Sequence, residues 1–114
     1  MVNEKEKMLS GAYYFANDLL LVKERKEARD LLYEFNHSRP GEEEKRREIL
    51  KNLMRPKGSI YIEPPFYCDY GYNIELGDNF YANFGCTILD VNPVIIGENV
   101  LFGPNVQIYT AGHP

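Results

Sequence analysis

From residue 68 onward this chain keeps a step of six. Tyr70-Gly71, Leu76-Gly77 and Ala82-Asn83 open successive units, Ile88 opens the next, and Ile96-Gly97, Phe102-Gly103 and Ile108-Tyr109 follow. A second column runs through the fifth position of each unit: Cys68, Ile74, Phe80, Cys86, Val100, Val106 and Gly112. The step breaks once, in a unit of eight between Ile88 and Ile96, where Asp90-Val91-Asn92-Pro93 reads as a small outward loop. Sandwich strands alternate with period two and do not hold a register of six. A sustained six instead predicts a parallel β-helix, in which each unit supplies a short strand and a corner and three units close a triangular coil. Adjacent coils then pair as parallel strands about 4.8 Å apart, with the periodic apolar residues stacked inside. The glycines fall where the chain turns tightly, often with positive φ. Three units separate Cys68 from Cys86, so the two are expected one above the other inside the prism, as small buried hydrophobes. A disulfide, a metal pair or a nucleophile is the sharper alternative, and no cysteine-rich spacing supports a zinc site.

The chain changes character near Pro56-Lys57-Gly58, which divides it into a helical part, residues 1–57, and the repeat part, 58–114. Three helices are expected in the first. A short one covers Glu4 to Leu9 and ends at Ser10-Gly11. The second starts near Asp18, a residue type suited to capping orphan backbone N–H groups. Leu21, Ala28, Leu31, Leu32 and Phe35 give it an apolar stripe at helical spacing. Asn36 to Gly41 breaks it, and His37 caps or ends it. The third runs from about Glu42 to Met54, with an acidic start that suits the positive end of the helix dipole. Ile49, Leu50, Leu53 and Met54 form its apolar face, and the charge run from Glu42 to Glu48 is read as a solvated face.

The formal net charge of −4 argues against nucleic-acid binding, which shows as a basic surface. No apolar run approaches the roughly 18 residues that cross a bilayer. The charged start, Met1 to Lys7, lacks the apolar stretch of a signal peptide, so a cytoplasmic location is expected, where both cysteines stay reduced.

A β-helix is a scaffold, and chemistry must come from its corners. Two residues stand out there. Asn83 occupies the position that Gly71 and Gly77 fill in other units, and His113 is the only histidine of the repeat part. A corner needing unusual backbone angles is the plain alternative for Asn83, and an exposed turn residue is the plain alternative for His113. The two fall on different corner columns, so they need not be neighbours within one chain. Subunits packed side by side would bring them together.

Several motifs carry a more specific signal. Glu4-Lys5-Glu6-Lys7-Met8, Asn36-His37-Ser38, Ile62-Glu63-Pro64-Pro65, Cys68 to Ile74, Tyr81-Ala82-Asn83-Phe84 and Thr110-Ala111-Gly112-His113-Pro114 resemble the maltose and galactoside O-acetyltransferases of the hexapeptide-repeat acyltransferases. The resemblance covers essentially the whole chain, and the maltose-type branch is the closer match.

That resemblance implies a mainly β fold with an α-helical N-terminal cap: a left-handed parallel β-helix, incomplete at its C-terminus because the family's chains continue well past the histidine. It implies homotrimers with sites between subunits, and transfer of acetyl from acetyl-CoA to a hydroxyl of a sugar such as maltose or glucose, with no metal. His113 matches the catalytic histidine, the general base. Asn83 matches the residue that stabilises the transition state and meets the acetyl-CoA thioester. Asp69, Tyr81 and Asp18 are the candidate acceptor contacts, although helix capping explains Asp18 equally well. Val91 stands where the galactoside branch carries an acceptor-binding aspartate, which weighs against a galactoside. A chain of 114 residues with fewer than three coils is expected to be inactive or nearly so by itself. The alternative is a non-catalytic remnant that oligomerises or binds sugar. A zinc enzyme of the γ-carbonic-anhydrase type needs several histidines around its metal, and the repeat has one.

Overall fold

The computed structural model describes residues 2–112. Three helices come first: α1 (Glu4–Leu9), α2 (Leu19–Asn36) and α3 (Glu43–Leu53). Asn3 caps α1 by accepting from the Glu6 backbone N–H, and Asp18 caps α2 by accepting from that of Leu20. His37 ends α2, its ring stacked on Tyr33. The strands that follow are β1 (Arg55–Pro56), β2 (Ile60–Ile62), β3 (Phe66–Cys68), β4 (Ile74–Leu76), β5 (Phe80–Ala82), β6 (Cys86–Leu89), β7 (Val94–Ile96), β8 (Leu101–Phe102) and β9 (Gln107–Tyr109). They pair in parallel as β1-β4-β7, β2-β5-β8 and β3-β6-β9, the three faces of a prism visited in turn.

The register corrects the sequence reading in one respect. Ile60 pairs with Phe80, Phe66 with Cys86, Ile74 with Val94 and Thr87 with Gln107, a step of twenty residues at every face. Each coil therefore holds two units of six and one of eight. The loop at Asp90–Pro93 was expected, but an equivalent one at Asp69–Asn73 lies directly beneath it. Tyr70-Gly71 imitates a unit opening, while Cys68 is the true inward residue of its strand. Cys68 accordingly stacks on Ile88 and Cys86 on Phe66, not on each other. Both cysteines are buried free thiols.

Two repeat glycines turn with positive φ as expected, Gly71 at 88° and Gly85 at 84°. Three asparagines share the left-handed region: Asn79, Asn99 and Asn105 have φ of 59°, 59° and 60°. Asparagine tolerates this region through its short polar side chain. Asn79 further donates its side-chain amide to Asn99 one coil above, at 3.0 Å. Gly77 has a different reason to be glycine: a Cβ there would press on the backbone of Gly97 and lie 2.7 Å from the Glu98 nitrogen.

One core runs through both parts. Ala28, Leu32 and Phe35 of α2 and Ile49, Leu50 and Leu53 of α3 pack on Ile62, Phe66, Ile74 and Leu76 at the lower end of the prism. The helices thereby plug the first coil. Asn36 covers the strand edge there, donating to the Phe66 carbonyl at 3.0 Å and accepting from the Phe66 N–H at 2.8 Å, as a strand neighbour would.

Candidate functional site

The loops of the eight-residue units sit at one corner of the prism and are tied together by side-chain hydrogen bonds to backbone. Asp90 is fully buried, with 0% exposure. One carboxylate oxygen accepts from the backbone N–H groups of Asp69 (3.1 Å) and Tyr70 (2.9 Å). The other accepts from those of Gly71 (2.8 Å) and Asn73 (3.2 Å). Asn73 answers by donating its side-chain amide to the carbonyls of Asp90 and Val91. Burial pushes the Asp90 carboxyl above the ordinary aspartate value, and these N–H donors pull it back down. A buried carboxylate is tolerable because its lone pairs are filled. One coil higher, the Thr110 hydroxyl donates to the Leu89 carbonyl at 2.8 Å and accepts from the Asn92 N–H at 2.9 Å.

This corner carries the N-terminal cap. Tyr70, Val91, Met8 and Leu21 form a second apolar cluster, joined by Tyr14 and Tyr72. Arg25 of α2 donates to the Tyr70 hydroxyl at 2.9 Å, and Tyr72 donates to Glu24 at 3.1 Å. Lys5 lies over the Tyr72 ring, 4.4 Å from its centroid, and pairs with Glu24. Between cap and corner opens a cleft of about 370 Å³. Gly11, Tyr13 and Tyr14 form one wall, and Val91, Asn92 and Thr110 the other. Among the described residues, no charged side chain lines it.

The sequence candidates divide between two regions. The segment 110–112, which leads to His113, borders this cleft; His113 itself lies outside the described residues. Asp69 is half-buried at the same corner but opens onto a neighbouring cleft with Arg29, Tyr33 and His37. Burial raises its carboxyl above the ordinary value, against the pull of Arg25 and Arg29. Asp18 stands at the start of α2 as its cap and does not line the uncharged cleft. Asn83 and Tyr81 lie elsewhere. Tyr81 is on the outer side of β5, stacked on Tyr61 with ring centroids 5.7 Å apart. Asn83 follows β5 at the corner leading to β6. The β3-β6-β9 face separates that corner from the 110–112 corner.

Asn83 is not one of the left-handed residues, so backbone conformation does not explain it. Its Oδ1 accepts from the Phe84 N–H at 2.8 Å, which fixes the amide orientation. Its Nδ2 has no partner among the described residues, leaving both amide N–H bonds free at the corner. Sequence reasoning missed Asp90, Asn73 and the Tyr70–Arg25 contact. The signal available was Asp90 itself, an acid inside a unit of irregular length.

Prism, cap and corner together define a hexapeptide-repeat β-helix protein with a helical plug. Residues 7–58 match the maltose acetyltransferase hexapeptide capping motif. A maltose O-acetyltransferase from Clostridium difficile 630 has a solved structure with a TM-score of 0.97 and 54% identity, over 99% of this chain and 61% of its own. A galactoside acetyltransferase in complex with coenzyme A gives 0.95 and 41%, over 100% of this chain and 57% of its own. A Dictyostelium discoideum protein that carries a provisional acetyltransferase name is 48% identical over 114 residues. The chain spans 59% of that relative's length. Over nearly its whole length this chain is similar to maltose and galactoside O-acetyltransferases, and its fold is the left-handed parallel β-helix with an α-helical cap.

Proposed function

We propose that the protein transfers acetyl from acetyl-CoA to a hydroxyl of a neutral sugar such as maltose or glucose. The observation that carries this reading is the uncharged cleft between the aromatic cap segment and the corner that leads to His113. A neutral, partly apolar wall suits a sugar ring stacked on tyrosine, and Val91 gives no carboxylate to hold a further hydroxyl.

In this reading His113 is the general base. Imidazole, with a pKa near about 6.5, takes the hydroxyl proton as the oxygen attacks the thioester carbonyl. The free Nδ2 of Asn83 donates to the oxygen on which negative charge develops and meets the acetyl-CoA thioester. The C–S bond then breaks, and the proton held by His113 passes to the CoA thiolate. The other candidate acceptor contacts, Asp69, Tyr81 and Asp18, do not line this cleft within one chain, so this reading has them meet the acceptor only from a neighbouring subunit.

Asn83 and the 110–112 corner lie at opposite ends of one face, so the reading also requires subunits side by side, as a homotrimer. The outward column of exposed Tyr61 and Leu101, with the half-buried Tyr81 between them, supplies apolar surface on the adjoining face for such contacts. The test is acetylation of maltose, glucose and galactosides with acetyl-CoA, read by mass spectrometry beside His113→Ala. Transfer that vanishes in the variant is expected. A folded chain that transfers acetyl to no sugar would overturn the reading in favour of a non-catalytic protein that oligomerises or binds sugar.

A further inference from the structure

We infer that Asp90 is a positioning residue: it holds the 69–73 loop, and through that loop the N-terminal cap, at the separation that forms the uncharged cleft. Asp90 is the one buried charged residue among the described residues. A carboxylate is unusual inside a β-helix, whose inward column is otherwise apolar, so its position needs a reason. The reason is the irregular loop beneath it. Asp69–Asn73 is too long for a tight corner and points four N–H groups where no strand can pair them. Asp90 has the acceptor capacity for all four.

The loop is also the seat of the cap. Tyr70 and Tyr72 receive Arg25, Glu24 and Lys5, while Val91, next to Asp90, packs with Met8 and Leu21. The cleft has the cap segment on one side and Val91 and Asn92 on the other. Its width thus depends on contacts that all converge on the loops Asp90 joins. The consequence for acceptor binding rests on the function proposed above.

Asp90→Asn is the informative change, because its side-chain nitrogen would face backbone N–H groups and lose about half of the bonds. Hydrogen exchange on the full chain is the readout. Amides of 69–73 and 11–16 are expected to exchange about tenfold or more faster, while those of β5 and β6 keep their protection. Unchanged exchange at 69–73, or a uniform increase across all strands, would overturn the inference, since a residue that only stabilises the core opens the whole molecule. If Asp90→Asn does not fold, Asn73→Ala decides, with the same local pattern at smaller amplitude expected and a uniform or absent change contradicting it. In the transfer reaction, the acceptor KM is expected to rise about tenfold with that of acetyl-CoA within about twofold. An unchanged acceptor KM in a variant with a loosened loop would sever Asp90 from acceptor binding. A wild-type protein that acetylates no sugar would remove the proposed function, and the exchange pattern alone would then judge the positioning role.

Discussion

Gly77 and Gly97 open near-copies of one unit, stacked one coil apart. A Cβ at Gly77 would meet the Gly97 backbone, which cannot step aside. Gly77→Ala is therefore expected to cost about 2–4 kcal/mol in denaturant unfolding. A cost below about 1 kcal/mol would contradict the stacking. The cysteines make a second residue-scale case. Burial pushes the Cys86 thiol from 9.0 up to about 11, and that of Cys68 well up. Neither is a thiolate at neutral pH, so both should resist a thiol reagent until the chain unfolds. A folded-state value raised above the unfolded one gives stability that is whole below pH 9.0 and lost as pH rises through about 11. Cys86 should contribute roughly 2–3 kcal/mol to that alkaline loss. Cys86→Val should flatten the slope of unfolding free energy between those pH values, and an unchanged slope would remove Cys86 as its source.

Among the elements, the helices and strands were legible because their signals are local. Asp18 capped the helix it was expected to cap, and Leu21, Ala28, Leu32 and Phe35 are all buried. Replacing Asp18 by Ala should cost about 1 kcal/mol, and Ser should restore most of it, in thermal unfolding. The register of the first coil was not legible. Tyr70-Gly71 has the composition of a unit opening, and only the contact with Asp90, twenty residues away, shows that it is a loop. Asn36 was similarly hidden, because its role is to complete a strand edge far along the chain. Asn36→Ala should destabilise the plug by about 2 kcal/mol by leaving Phe66 N–H and C=O unpaired. Of the candidate site, the corner positions of Asn83 and the 110–112 segment could be read from spacing, whereas the cleft depends on how the cap docks.

At the scale of the whole molecule, the helical plug closes one end of the prism and the cap docks along one corner, over the loops that buried Asp90 joins. Of the two residues proposed to act on the acetyl group, Asn83 lies at the corner after β5, whereas His113 follows in sequence the segment 110–112 at a different corner. The account therefore requires that one subunit's Asn83 work with the neighbour's His113. This requirement is tested most directly by mixing two inactive variants, Asn83→Ala and His113→Ala, after unfolding and refolding them together. Randomly mixed assemblies restore an intact pair at about one interface in four, so acetyl transfer should return to about a quarter of the wild-type rate. Activity that stays at the sum of the two variants' residual rates would contradict a site shared between subunits.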